Sequence, residues 1–182
     1  MNGRELLVGV TGGIAAFKTA ALVSQLVQHG AHVSVVMTRE ALNFIGTATF
    51  EALTGRHVHV ESFDTSEFPL GPHIGLAERA ELMCVAPTSA NFMAKAAHGV
   101  ADDLLSTLYL TNTAPILLAP AMNVDMWQKA SVQRNLEQLR EDGTEIIDPE
   151  EGWLSCRQSG AGRMASPETI AAAIAAHFKA ST

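Results

Sequence analysis

A doubly wound α/β fold with a mainly parallel sheet is predicted for this chain by three observations. Short apolar runs at 5–10, 31–37, 81–86 and 114–119 are too dense to alternate, and read as strands buried on both faces. Stretches with helical spacing of apolar residues, at 15–29, 74–80, 131–142 and 167–179, fall between or after them. The connections are short and rich in Gly, Ser, Thr or Asn, so strand and helix alternate as βαβ units do. With 182 residues, 47% of them hydrophobic, the chain suits one domain over 1–182 with a full core. The expected variety is Rossmann-like and flavodoxin-like.

Taken in order, Thr11-Gly-Gly-Ile14 is the tight turn between the first strand and the helix at 15–29, which Gly30 closes. With the strand at 31–37 this makes a βαβ unit whose first turn suits a mononucleotide phosphate. It is not a dinucleotide fingerprint. The string from Gly12 to Phe17 lacks the third small residue of G-x-G-x-x-G/A, and no acidic residue ends the second strand. Thr38 stands at that strand end, where a hydroxyl can reach a phosphate. One or two short helices are expected over 38–55, a strand over 57–63, and a loop over 64–72 containing Pro69, Gly71 and Pro72. His73 follows the loop and opens the next helix.

After the strand at 81–86, Thr88 or Ser89 caps a helix, and Ser89, Asn91 and the free amides there can hold a phosphate at its positive end. A further capped start at Ala101-Asp-Asp-Leu-Leu-Ser106 leads a helix through Leu110. The strand at 114–119 delivers Pro120-Ala-Met-Asn-Val-Asp-Met-Trp127 to the carboxyl edge of the sheet, where open α/β sheets bind ligands. Asn123 presents donors and an acceptor in one planar group, suited to a carboxylate or an amide. It equally suits a helix N-cap, and the two roles are compatible. The helix at 131–142 ends at Gly143, and 144–147 is the final strand expected. Residues 152–164 hold Gly, Ser and two Arg with no period, and read as a mobile loop able to close over a site.

Bulk properties exclude several classes. A net charge of -7 without a basic stripe argues against a nucleic-acid partner. No apolar stretch has bilayer-spanning length, and the start of the chain lacks the form of a signal peptide, so no membrane role and a cytoplasmic location are expected. Two cysteines make no disulfide framework. Cys84 sits in an apolar strand, whereas Cys156 sits in a polar, Gly-rich segment and is the thiol of interest. His29, His32, His57, His59, His98 and His177 have no constellation around them, and no spacing indicates a metal site.

Five pieces in this order, namely Thr11-Gly-Gly-Ile-Ala-Ala-Phe-Lys18, Pro72-His73-Ile-Gly-Leu76, Ala86-Pro-Thr-Ser-Ala-Asn91, Pro120–Trp127 and the Cys156 segment, resemble the homo-oligomeric flavin-containing cysteine decarboxylases. The resemblance runs from about Leu6 to Met164. It implies FMN as cofactor, with Gly12, Gly13, Ile14 and Thr38 beside it, Ser89, Ala90 and Asn91 at its phosphate, and Ala121 and Met122 along its ring. It also implies His73 as base or orienting group at the substrate thiol and carboxylate, Asn123 as holder of the carboxylate or amide, and Cys156 as proton donor. Trp153 and Ser155 would contact substrate when the loop closes. A homotrimer or an assembly of trimers is implied, with flavin at subunit boundaries and the stretch 94–110 placed there. The family usually carries Thr after the Asn of the Ser-Ala-Asn motif. Here it is Phe92, so one phosphate-contact hydroxyl is missing. Bacterial members are often fused to a ligase domain. This sequence stops at Thr182, so a stand-alone decarboxylase is expected.

The chemistry explains these residue types. An N-acyl cysteine carboxylate has no electron sink. Oxidising the thiol to a thioaldehyde creates one β to the carboxylate, and a flavin is a suitable hydride acceptor. The enethiolate left after carbon dioxide departs must then be reduced. A histidine titrates near working pH, and a thiol can deliver a proton, with Arg157 nearby to ease thiolate formation. The implied substrate is a small phosphorylated N-acyl cysteine whose phosphate Lys95, Arg157 or Arg163 would meet. Two alternatives share the flavin motifs: a peptidyl-cysteine decarboxylase, and a non-enzymatic regulatory flavoprotein subunit of the kind that carries long acidic extensions. The related flavin prenyltransferases lack the Pro-Ala-Met-Asn segment and the late cysteine.

Overall fold

The computed structural model of the chain describes residues 1–64, 66–155, 157 and 159–180. Six parallel strands form one sheet: β1 (Glu5–Val10), β2 (His32–Met37), β3 (Val58–His59), β4 (Leu82–Thr88), β5 (Ile116–Pro120) and β6 (Glu145–Ile146). Their spatial order is β3-β2-β1-β4-β5-β6. The chain winds outward from β1 to β3, then crosses to β4 and winds outward again to β6. Loops that follow β1 and β4 therefore part to opposite faces and leave a crevice at the carboxyl ends of the strands. This is the doubly wound α/β architecture that the apolar runs predict.

Helices α1 (Ala16–Gln28), α2 (Thr47–Thr54) and α8 (Pro167–Ala180) cover one face, where Leu6, Val8, Leu22, Val33, Phe50 and Ile170 share a core. The opposite face carries α3 (Pro72–Arg79), α4 (Ala90–His98), α5 (Leu104–Thr111) and α7 (Ala130–Glu141) over Leu7, Met83, Val85, Leu118 and Leu136. Successive strand residues point to opposite faces, and both faces are covered. That is why the strands read as unbroken apolar runs. A one-turn helix, α6 (Val124–Trp127), follows β5.

Three expectations change. The stretch 94–110, placed as one unit at a subunit boundary, is two helices, as the capped start at 101–106 indicates: Gly99, at φ 66, ends α4, and Asp103 starts α5 through a capping box with Ser106. Leu104, Leu105 and Leu108 are 0–1% exposed, so they form core and not an apolar surface stripe. The strand expected over 57–63 shrinks to Val58–His59. Finally, β6 is not the last strand. The expected mobile loop is an antiparallel hairpin, β7 (Glu150–Trp153) and β8 (Ser159–Arg163), outside the main sheet. A register shift between Glu150 and Glu151, together with Gly152, Gly160 and Gly162, removes the alternation by which a strand is recognised.

Candidate active site

Hydrogen bonds across the switch point set the geometry. Thr11, the residue after β1, donates its hydroxyl to the Pro87 carbonyl at 2.7 Å and accepts from the Ser89 amide at 2.9 Å. Thr19 of α1 donates to the Ala86 carbonyl at 2.6 Å. These ties hold the Gly12–Gly13 turn beside the start of α4. Ser89 is the cap there, its Oγ accepting from the Phe92 amide at 3.2 Å, while Thr88 bonds within its strand to Val85. The Ala90 and Asn91 amides have no partner among the described residues, and they form the positive end of the α4 dipole.

Asn123 caps α6, its Oδ1 accepting from the Met126 amide at 2.8 Å. Its Nδ2 has no partner among the described residues, so capping leaves a donor free. The hairpin docks on this loop. The Met122 amide donates to the Gly162 carbonyl at 2.9 Å, and Gly162, at φ 126, approaches so closely that a Cβ would collide with the Met122 carbonyl oxygen.

These elements enclose a cleft of about 520 Å³, within the range of small-molecule sites. The β1–α1 turn contributes Gly12, Gly13 and Ile14, and the start of α4 contributes Ser89 and Ala90. The segment after β5 brings Ala121, Met122 and Asn123, and the hairpin brings Trp153, Leu154 and Ser155. A second pocket of about 220 Å³ shares Gly12, Ser89, Ala90 and Met126 with the cleft, and adds Thr38 and Asn91. Thr38 is 7% exposed, and its hydroxyl is buried without a hydrogen-bond partner. A polar atom left so is costly unless a ligand satisfies it. A phosphate against that hydroxyl and the α4 amides, with a flat ring in the larger cleft, fits this arrangement.

The structure therefore gathers Gly12, Gly13, Ile14, Ser89, Ala90, Ala121, Met122, Asn123, Trp153 and Ser155 in one cleft, and Thr38 and Asn91 in its neighbour. His73 stands apart: it is the second residue of α3, half-buried, and lines neither space. Cys156 lies outside the described residues. Phe92 turns into the core, its ring 6.0 Å from that of Tyr109. Of the three cations offered for a substrate phosphate, Lys95 is taken by Asp102 and Asp103 at 2.6 and 2.7 Å. Arg157 does not line the cleft, and Arg163 does. Cys84 is fully buried, and burial pushes its thiol up to about 12, which makes it inert at neutral pH.

Two features escape sequence reading. Lys18 lines the cleft and donates to the Met164 carbonyl at 3.1 Å. The available signal is its place in the first turn of α1, where a cation opposes the helix dipole. The second is a cluster at the far sheet edge, where the sequence shows no constellation. Buried His59 lies 3.3 Å from Glu67, and His57 lies 3.5 Å from both Glu51 and Asp64. Burial pushes the His59 pKa down. Among the described residues no group of three or more His, Cys, Asp or Glu could hold a metal ion.

Fold and cleft together define a doubly wound α/β protein with a crevice at the switch point and a smaller polar-lined pocket beside it. The chain belongs to the Flavoprotein family, whose family model matches residues 1–179. It is 43% identical over 182 residues to the coenzyme A biosynthesis bifunctional protein CoaBC of Bacillus subtilis, covering 100% of this chain and 45% of that protein. The protein of the same name from Haemophilus influenzae is 42% identical over 179 residues, covering 98% and 44%. The chain thus spans under half the length of these curated relatives. Among solved structures, a PPC decarboxylase with cysteine replaced by serine, complexed with pantothenoylaminoethenethiol, is similar at TM-score 0.86 and 28% identity, covering 98% of this chain and 100% of that one. The FMN-dependent cysteine decarboxylase SpaF gives 0.80 and 35%, covering 95% and 97%. The peptidyl-cysteine decarboxylase EpiD gives 0.79 and 27%, covering 93% and 97%.

Proposed function

We propose that this chain is an FMN-dependent carboxy-lyase that converts 4'-phosphopantothenoylcysteine to 4'-phosphopantetheine in coenzyme A biosynthesis. The observation that carries the reading is the pair of adjoining spaces: a small pocket with an unsatisfied Thr38 hydroxyl and the α4 amides, sharing residues with a cleft beneath a hairpin. Thr38, Ser89, Ala90 and Asn91 would hold the FMN phosphate, and Gly12, Gly13, Ile14, Ala121 and Met122 would flank the ring. When bound, FMN supplies the hydride acceptance and return that an N-acyl cysteine needs to lose carbon dioxide and leave a saturated thiol.

The chain's own residues bind, orient and move protons. Asn123 Nδ2 donates to the substrate carboxylate or amide while Oδ1 stays on the α6 cap. Trp153 and Ser155 cover the substrate from the hairpin and keep water out. His73 accepts the thiol proton or orients the group that does, and Cys156 returns a proton to the enethiolate carbon. Because His73 is absent from the cleft of its own chain, a neighbouring copy supplies it in a homotrimer or an assembly of trimers. Ile14, Phe17 and Trp153 are 56%, 61% and 64% exposed at the cleft rim, which suits such a boundary. Among the described residues no helix is long and apolar enough to cross a membrane, and the cytoplasm is the compartment this pathway role suggests.

One observation favours a second reading, a peptidyl-cysteine decarboxylase: the chain is about as identical to EpiD as to the PPC decarboxylase structure, 27% against 28%. Offering FMN-loaded protein the phosphorylated small molecule and peptides ending in cysteine, with products read by mass spectrometry, separates the two. Turnover of the small molecule is expected, and turnover of peptides alone would replace the proposal. Two variants then divide the cycle after one anaerobic substrate addition. Cys156→Ser should release one carbon dioxide per flavin and lose its yellow colour. His73→Asn should release none and stay yellow. Steady turnover by Cys156→Ser would remove that residue from the mechanism.

A further inference from the structure

The cleft holds two cations: Lys18, to which the site described so far gives no task, and Arg163, the one of the three cations offered for a substrate phosphate that lines it. Lys18 carries three penalties for its charge. It is partly buried, it sits in the first turn of α1 against the helix dipole, and Arg163 lies close enough to act on it. Burial and then Arg163 push its pKa down, while Glu150 and Glu168 act more weakly in the other direction. Those two carboxylates are engaged elsewhere, Glu150 by the Ser166 amide and Glu168 by Gln25. Neither Lys18 nor Arg163 belongs to an ion pair among the described residues.

Both cations are nonetheless held in place. Lys18 Nζ is tethered at 3.1 Å to the Met164 carbonyl, just past the hairpin. The Arg163 side chain lies across Gly152, where a Cβ would come within 3.1 Å of its Nη1. Two like charges held together at a cleft, unpaired, on a chain of net charge -7, cost free energy until an anion arrives.

We infer that Lys18 and Arg163 form a subsite for a phosphate monoester dianion on the hairpin side of the cleft, and that it receives the terminal phosphate of the substrate. This rests on the small-molecule reading of the reaction proposed above. Two sources of that dianion exist, the substrate and the flavin. The flavin phosphate has its own candidate pocket at Thr38 and Asn91, which neither Lys18 nor Arg163 lines, whereas both cations share the cleft with Trp153 and Ser155. The subsite thereby distinguishes a phosphorylated N-acyl cysteine from its unphosphorylated analogue and from a peptide.

The test compares FMN-loaded wild type with Arg163→Gln, Lys18→Gln and the conservative Arg163→Lys. Three readouts are taken: bound FMN, kcat/KM for phosphopantothenoylcysteine relative to pantothenoylcysteine, and affinity for phosphopantothenate relative to pantothenate by calorimetry. Each Gln variant should keep its FMN and lower both ratios about tenfold or more, mainly through KM, with Arg163→Lys partly restoring them. Equal losses on phosphorylated and unphosphorylated compounds, or unchanged ratios, would overturn the subsite. So would loss of FMN, which would assign the cations to the flavin phosphate. If wild type turns over neither substrate, the reaction reading falls, and the calorimetric ratio still decides the subsite.

Discussion

The six-stranded sheet and the β7–β8 hairpin are opposite kinds of β structure. Strands β1, β4 and β5 each lie between two parallel neighbours, and Val8, Val85 and Leu118 on them are all 0% exposed. Among the described residues the hairpin strands pair only with each other; the hairpin exposes 64% of Trp153 and meets the rest through Met122–Gly162, the Ser166 amide on Glu150 and the contact of Gly160 with Val124. A lone two-stranded ribbon is marginal in water, so the hairpin depends on that docking. The difference separates two tasks. The sheet fixes the loops that line the cleft, and the hairpin closes the cleft from outside the sheet.

The comparison breaks if the sheet tolerates truncation. Leu118→Ala removes side-chain atoms from the middle of the core and should cost about 2–5 kcal/mol in chemical denaturation. A cost under about 1 kcal/mol would mean that β5 is not the packed centre it is taken to be.

Gly162→Ala acts on the other region. It adds a Cβ against the Met122 carbonyl at a φ of 126, with local strain of about 1–3 kcal/mol. Because the hairpin lies outside the main sheet, global melting should change little, while kcat/KM falls and proteolysis within 150–163 accelerates. A global loss as large as that of Leu118→Ala would merge the two regions into one cooperative unit.

Which parts of this were legible from sequence follows from the same contrast. Apolar runs such as Leu82–Ala86 announce buried parallel strands, and the connections after them fall at the carboxyl edge by topology alone, so Gly12, Ser89 and Asn123 could be placed together. The hairpin could not, since glycines and a register shift erase its period. Lys18 looked like any lysine on an amphipathic helix until Met164 and Arg163 were found beside it. His59 and Glu67 meet only because the intervening loop folds back. His73 was legible as a residue type after a loop, but the distance between it and the cleft of its own chain is a tertiary fact that no local pattern carries.

Thr38→Val sharpens the contrast within the rigid half. Removing an unpartnered buried hydroxyl should leave the FMN-free protein as stable or about 1 kcal/mol more so, yet weaken FMN binding roughly tenfold or more. A fall in apoprotein stability would show that the hydroxyl is already satisfied.

The smallest effect is expected at the amino end of β1. Arg56 donates to both Glu5 oxygens, at 2.6 and 2.8 Å, and holds that carboxyl below its usual range. A depressed carboxylate contributes stability above its unfolded pKa and loses it as pH falls through the folded pKa. Glu5→Gln should therefore lower stability at neutral pH by under about 1 kcal/mol and flatten the acid limb of the stability curve below pH 4.5. Parallel acid limbs for the two proteins would remove the ion pair from the account.

The central claim is that this fold binds FMN in its crevice and uses it to decarboxylate a phosphorylated N-acyl cysteine. The most direct measurement is carbon dioxide release from carboxyl-labelled 4'-phosphopantothenoylcysteine by protein stripped of flavin and then reloaded. The account expects no release from the stripped protein, restoration by FMN, and one phosphopantetheine formed for each carbon dioxide. Release that does not depend on FMN, or none from the fully loaded protein, would contradict it.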